Sequence, residues 1–351
     1  MKYLFLYTEL ADYTIQCFKY HLNHNPEDEI HVVSYEVNGE APFVFEEIER
    51  LHKYKRKECD LDDLWQIIEV NKPALIFCSG WVDKQYLATI RLARHKTPCF
   101  LIVDNPWLGT LKQRLLSPFG KYYFGKLFKG AWVPGNAQKE FMQNIGFKPE
   151  NIFQGFYSTD VNSYTEKFLE NREEKRKDFP KVFVCAARYI PQKGLETLWQ
   201  AFAKLDHPEW ELWMFGQGVD FDQRMKHPKI KHFGFVQPKE LLSKIKNMGV
   251  FILPSMLEPW GMVVHEFAVG GFPLLLSDKV FSGARFLKEG KNGFTFRPGS
   301  IADIKRQLKK ITQMSTADLS AMSDKSFEIA KEHSAEAWST TLRQILHTFV
   351  K

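Results

Sequence analysis

Short, almost wholly apolar runs alternate along this chain with longer segments whose apolar residues recur at helical spacing. The runs predict strands at 3–8, 30–35, 74–79, 99–104, 130–133 and 152–156 in the first half. In the second half they fall at 182–186, 211–215, 230–233, 250–253, 274–277 and 293–296. Helices are predicted near 12–22, 61–71, 83–94 and 137–145, then near 195–205, 238–247, 262–269 and 301–312. Strand-like runs that alternate with helix-like runs throughout argue for parallel sheets and the class α/β. Between the halves the pattern fails. Glu170-Asn171-Arg172-Glu173-Glu174-Lys175-Arg176-Lys177-Asp178 has no apolar face, and Pro180 precedes the next strand. A linker is expected at 158–181, between a first domain over 1–157 and a second over 182–333. A last segment, 334–351, carries Trp338, Leu342, Ile345, Leu346 and Phe349 at helical spacing, a stripe that needs a partner.

Size and composition agree with two cores. The chain has 351 residues, and single cores stop growing at roughly 250–300. No apolar run reaches the ~18 residues of a membrane span. The opening Met1-Lys2-Tyr3-Leu4-Phe5-Leu6-Tyr7-Thr8-Glu9 turns acidic too soon for a signal peptide and reads as the first strand. Cysteines 17, 59, 78, 99 and 185 show no paired or metal-ligand spacing, and read as reduced core thiols of a cytoplasmic protein. A net charge of +6 suits anionic small ligands or an anionic membrane surface and is too diffuse to argue for nucleic acid.

The candidate chemistry concentrates in Leu253 to Phe272, LPSMLEPWGMVVHEFAVGGF. An apolar strand runs through a tight loop into a short helix. Glu258 lies before the helix start, and Glu266 lies one turn inside it on the face of Met262. A helix N-terminus at the end of a parallel strand favours phosphate through its free N–H groups and dipole. Carboxylates beside it suit a ligand with hydroxyls as well, and a nucleotide-sugar has both. Arg188 and Lys193 follow the first strand of the second domain and suit a diphosphate, one by its fork and one as a point charge.

The spacing Glu258-Pro259-Trp260-Gly261 to Glu266 resembles the E-x7-E motif of the retaining glycosyltransferases of family 4. Ala187-Arg188-Tyr189-Ile190-Pro191-Gln192-Lys193-Gly194 resembles that family's Arg-to-Lys-Gly loop, and Phe215-Gly216-Gln217-Gly218 its strand-end G-x-G. Gly283-Ala284-Arg285 and Glu289-Gly290-Lys291-Asn292-Gly293-Phe294 resemble its late segments. The resemblance implies a GT-B fold, two Rossmann-like doubly wound domains facing a central cleft, with the final helix crossing back onto the first domain. It implies a metal-independent, retaining hexosyltransferase acting on a nucleotide-sugar, a UDP-sugar being favoured, and a glycan or lipid-linked acceptor, in cell-surface polysaccharide synthesis.

In roles carried over residue by residue, Arg188, Lys193 and Glu258 would serve catalysis. Glu266 would hold the ribose, and Trp260, Gly261 and Met262 would turn backbone amides to the sugar or diphosphate. Gly216, Phe235 and Val236 would border the donor, although Phe233-Gly234-Phe235-Val236 reads equally as core. Acceptor-side candidates at the ends of first-domain strands are Asp104, Asn105 and Trp81, with Thr8-Glu9 and Ser79-Gly80 similarly placed. The rival readings are a nucleotide-sugar epimerase or hydrolase, a pyridoxal-dependent phosphorylase and a non-enzymatic nucleotide-sugar-binding scaffold.

No metal or other cofactor is expected. Asp60-Leu61-Asp62 matches a D-x-D metal pattern but opens an amphipathic helix, so Asp60 reads as its cap. Lys112 to Lys129 interleaves cations with Leu115, Leu116, Phe119, Tyr122, Tyr123, Phe124, Leu127 and Phe128. Such a stretch either lies peripherally on the inner face of an anionic membrane or forms a core helix with a basic outer face.

Overall fold

A computed structural model describes residues 1–36, 39 and 42–350. Val37, Asn38, Glu40, Ala41 and Lys351, the last residue of the 334–351 segment, lie outside the described residues. The chain forms two compact units. Met1–Asn38, Phe43–Thr159 and Ser334–Lys351 make the first, and Gly39–Pro42 with Asp160–His333 the second.

The first unit alternates β1 Lys2–Tyr7, α1 Asp12–His24, β2 Glu29–Ser34, β3 Leu51–Lys55, α2 Leu61–Asn71, β4 Leu75–Ser79, α3 Lys84–Ala93, β5 Cys99–Ile102, α4 Leu111–Tyr123, β6 Gly130–Val133, α5 Asn136–Asn144 and β7 Ile152–Gln154. Its strands make one parallel sheet in the order β3-β2-β1-β4-β5-β6-β7. The second unit runs α6 Val161–Lys177, β8 Val182–Ala186, α7 Leu195–Ala203, β9 Glu211–Phe215, β10 Ile230–His232, α8 Pro238–Lys244, β11 Val250–Leu253, α9 Met262–Val269, β12 Leu274–Ser277, α10 Gly283–Phe286, β13 Gly293–Phe296, α11 Ile301–Thr312 and α12 Thr316–Ala330. Its parallel sheet has the order β10-β9-β8-β11-β12-β13. In each sheet the order reverses once, at β1/β4 and at β8/β11. Loops leaving the carboxyl ends of adjacent strands diverge there, which opens the crevice where such sheets bind ligands.

The closing helix α13, Ala335–Phe349, belongs to the first unit. Its Trp338 meets Trp132 at 4.9 Å, and Phe349 meets Phe100 edge-on at 5.0 Å. The apolar stripe therefore finds its partner in the aromatic face of the first sheet, around Phe5, Phe18, Phe77 and Phe156. All five cysteines are buried and free. Asp60 caps α2, accepting from the amides of Asp62 and Asp63 at 2.8 and 3.0 Å. Among the described residues no helix is long and apolar enough to cross a membrane.

Three sequence expectations are corrected. The stretch 158–181 is not a linker: α6 occupies most of it. Asp160 caps the helix, accepting from Ser163 N at 3.1 Å. Tyr164 and Phe168 are buried one turn apart, and Phe168 stacks on Phe327 at 4.5 Å. Arg172 forks onto Asp324 at 2.7 and 3.0 Å. Lys175 is buried, its stem covering apolar surface while its ammonium donates to Met248 O at 2.8 Å and sits 4.2 Å from the Phe272 ring. Two aromatics and a lysine stem make a stripe too narrow to stand out among so many charges. Second, β3 (LHKYK) is an edge strand that was not anticipated, because only Leu51 in it is buried. Third, the core-helix alternative for 112–129 fails over α4 and holds only past the helix, where Leu127 and Phe128 are buried. In α4 only Gly120 is buried, whereas Leu115, Phe119 and Tyr122 are 62%, 70% and 71% exposed.

Candidate functional site

The loops after β8 and β11 leave from the switch point of the second sheet and are laced together. After β8 the chain bends so that Ala187 N and Tyr189 N donate to Phe215 O and Gln217 O at 3.0 and 2.9 Å. A Cβ at Gly216 would lie 2.0 Å from Ala187 O, so only glycine lets these two strand ends approach. Pro191–Lys193 then forms a single 3₁₀ turn ahead of α7. Met256 N donates to Gln192 O at 2.8 Å, and Gln192 Nε2 donates to Leu257 O at 3.0 Å.

This lacing brings Lys193 and Glu258, distant in sequence, into a direct ion pair. Glu258 is buried and fixed from three sides. Ser255 Oγ donates to its carboxylate at 3.2 Å, its amide donates to Lys279 O at 2.9 Å, and its carbonyl accepts from Phe281 N at 3.1 Å. Its side chain is therefore held by Lys193 and Ser255, and the N-cap of α9 is Gly261, with no side-chain cap. Ser255 carried no signal of a role, although it lies in the singled-out stretch. It is buried and is itself braced by Ser277 Oγ.

Gly261 sits at φ +84°, and a Cβ there would come 2.8 Å from Glu258 Cγ. The glycine is demanded by the Glu258 side chain and by its own backbone conformation, rather than only by the approach of a ligand. The amides of Gly261 and Met262 precede the first intrahelical bond, Val264 N to Gly261 O at 3.0 Å, so helix geometry gives them no partner within the helix. Trp260 turns its side chain inward against Phe286 and His333, with Nε1 buried and without a hydrogen bond. Only its backbone is available to a ligand. Glu266 is half-buried, on the side of α9 away from the buried Val264, Phe267 and Ala268. His265 is buried, stacks on Phe286 at 4.6 Å and approaches Ala330 O at 3.2 Å, and burial holds its pKa well below the usual imidazole value. Arg188 is exposed on the loop after β8. Phe235 and Val236 are half-buried after β10, and Gly216 N donates to Gly234 O at 2.7 Å beside them. The structure thus gathers Lys193, Glu258 and Gly261 into one contact set, with Gly216, Arg188 and Glu266 on neighbouring loops and helix.

In the first unit, Trp81 and Asn105 line a cavity of about 560 Å³ together with Lys112, Leu116 and Phe119 of α4. Trp81 rests against Phe124 at 5.1 Å. Asp104 does not line this cavity; its carbonyl accepts from Gln138 Nε2 at 3.1 Å. Thr8 and Ser79 share a 3.1 Å hydroxyl hydrogen bond across the ends of β1 and β4.

Comparison with known proteins places these features. Residues 167–328 match the family described as glycosyl transferases group 1. Lipopolysaccharide 1,6-galactosyltransferase of Salmonella typhimurium is 27% identical over 146 residues, 38% of this chain and 40% of that protein. An uncharacterized glycosyltransferase of Methanocaldococcus jannaschii is 29% identical over 183 residues, 47% of this chain and 46% of that protein. The chain thus spans less than half the length of these relatives. Anabaena HepE in complex with UDP superposes with a TM-score of 0.75 at 13% identity, covering 99% of this chain and 100% of HepE. HepE with UDP-glucose gives 0.73 at 15% identity, covering 99% of each. Over residues 167–328 the chain is similar to the glycosyl transferases group 1 family, and over its length it has the α/β fold of GT-B glycosyltransferases, two parallel-sheet Rossmann-like domains.

Proposed function

We propose that this chain is a retaining, metal-independent hexosyltransferase that moves a sugar from a UDP-sugar to a glycan or lipid-linked acceptor in cell-surface polysaccharide synthesis. The observation that carries the reading is the Lys193–Glu258 pair at the switch point of the second sheet, beside the glycine-capped start of α9. A cation and the free amides of a helix start suit the two phosphates, and a braced carboxylate suits sugar hydroxyls. Lys193, Arg188 and the amides of Gly261 and Met262 stabilise the charge that grows on the departing diphosphate. Glu258 orients the sugar, and Glu266 accepts from the ribose hydroxyls. The acceptor oxygen bonds to the anomeric carbon as the bond to phosphate breaks, and the acceptor proton passes to the leaving phosphate oxygen, so no separate base is needed. The preference for uridine draws support from HepE, which is named as binding UDP and UDP-glucose.

The acceptor reading rests on the cavity beneath α4 and on the exposed Leu115, Phe119 and Tyr122 with Lys112 and Lys121 on the same helix. An amphipathic surface of this kind suits the inner, anionic face of a membrane, where a lipid-linked acceptor would lie. We accordingly assign the protein to the cytoplasm, peripherally at that face.

The test is thermal stabilisation by UDP, GDP and ADP and their sugars, on the parent and on Glu266→Ala, followed by transfer kinetics of Lys193→Ala. UDP and its sugars are expected to raise the Tm of the parent, with a smaller rise in Glu266→Ala. Lys193→Ala is expected to lower kcat about 10²–10³-fold, the cost of one preorganised contact to developing charge. A lysine variant within twofold of the parent would sink the assignment. Donor turnover without acceptor would favour the epimerase or hydrolase reading, and binding without turnover the scaffold.

A further inference from the structure

The edge of the first sheet holds a second constellation, unrelated to donor chemistry. Glu29 and His31 lie two residues apart on β2 and so share one face of the sheet. His52 on β3 is the direct register partner of His31. The two imidazoles stack with centroids 4.5 Å apart and planes 17° apart. Both Nε2 atoms lie near the same carboxylate oxygen: His31 Nε2 lies 3.6 Å and His52 Nε2 3.5 Å from Glu29 Oε2. His31 is 2% exposed, and its Nε2 is buried with no hydrogen-bond partner.

We infer that Glu29, His31 and His52 form a binding site for a first-row transition-metal dication of the zinc class, which clips the edge strand β3 to β2. Ligand atoms bound at ~2.1 Å in tetrahedral geometry stand about 3.4 Å apart, close to both nitrogen–oxygen separations. Two imidazoles and one carboxylate are a donor set suited to zinc, with the fourth position left to water. The orphaned His31 nitrogen supplies the physical motive, because a buried acceptor without a partner is costly and a metal satisfies it. The other ring nitrogen of His31 lies 3.1 Å from Tyr54 Oη. A proton on Nδ1 donated to Tyr54 leaves the Nε2 lone pair free, which is how metal-bound histidines are usually oriented. Among the described residues, Lys2 is the lysine or arginine paired with this carboxylate, with Nζ 3.1 Å from Glu29 Oε2. It would share Glu29 with the ion or turn out to solvent, being itself half-exposed.

The site was not readable from the chain because its ligands come from two strands, one of them a polar edge strand without an apolar signature. It revises the expectation of a metal-free protein without touching that of a metal-free donor site.

The test is calorimetric titration of the full chain with Zn²⁺, together with the visible spectrum of the Co²⁺ form and the zinc dependence of Tm. The comparison is with His52→Ala and with His24→Ala, an exposed histidine outside the site. The parent and His24→Ala are expected to bind one ion per chain, to give the intense d–d bands of tetrahedral Co²⁺ and to gain Tm with zinc. His52→Ala, at a half-exposed position that leaves the core intact, is expected to bind at least about tenfold more weakly and to lose the bands. Tyr54→Phe is expected to fall between them. Equal binding by the parent and His52→Ala, or none by the parent at zinc well above the protein concentration, would overturn the inference.

Discussion

Helices α4 and α6 invite comparison because their sequences point the opposite way from their environments. The α4 region is rich in Leu, Phe and Tyr, yet its apolar residues face solvent above a cavity in the first unit. The α6 region is a run of charges, yet it is packed against α12 through Phe168 and Phe327 and pinned by Arg172 and Arg176 on Asp324. Apolar count decides neither case. Burial follows from whether a neighbour offers a complementary surface. For α6 the neighbour has a hole: Gly271, at φ +70°, would place a Cβ 2.2 Å from the Phe168 ring, so the glycine makes the space that the ring fills. In α4 the buried residue is Gly120, with Ile145 Cβ 2.8 Å from where its own Cβ would be. An apolar face left open at such a position costs solubility, which is why it reads as a functional surface.

The contrast can be broken most forcefully at Phe168. Phe168→Ala empties a packed hole and is expected to cost about 3–5 kcal/mol, read as a lower denaturation midpoint with an unchanged m-value. A change below about 1 kcal/mol would mean that α6 is only loosely attached. On the other helix, Leu115→Glu with Phe119→Glu should leave stability within about 0.5 kcal/mol, as exposed sites do. The same pair should weaken sedimentation with anionic vesicles by about tenfold or more. Unchanged vesicle binding would remove α4 from the membrane reading.

The smallest effect concerns Lys175. Burial lowers its pKa from 10.5 to about 7. Above pH 7 the unfolded lysine keeps a proton that the folded one gives up, so the unfolded state binds more protons and stability rises with pH until the unfolded pKa is reached. Below pH 7 both states are protonated and the contribution is flat at its least favourable. Lys175→Met removes this dependence. Its Tm relative to the parent should therefore be higher at pH 6 than at pH 9, by a few degrees. A difference independent of pH would show that Lys175 stays charged in the folded protein.

Much of the second unit was legible in the sequence. Five of its six strands are short, mainly apolar runs, whereas β10 (IKH) buries only Ile230. The loop motif around Glu258 and Gly261 was also visible, because strand, tight turn and helix start are adjacent in sequence. Hidden from the sequence was why that motif needs its residues. Gly261 accommodates Glu258, Trp260 faces the core, and Ser255 braces the carboxylate.

Local periodicity by itself determined the α/β class and most of the strands, because period and apolarity are properties of neighbouring residues. Only the tertiary structure decided which helix faces are covered, that Lys193 meets Glu258, and that Glu29, His31 and His52 converge. Each of these depends on strand order and register, which bring together side chains far apart in the chain and which no local pattern encodes.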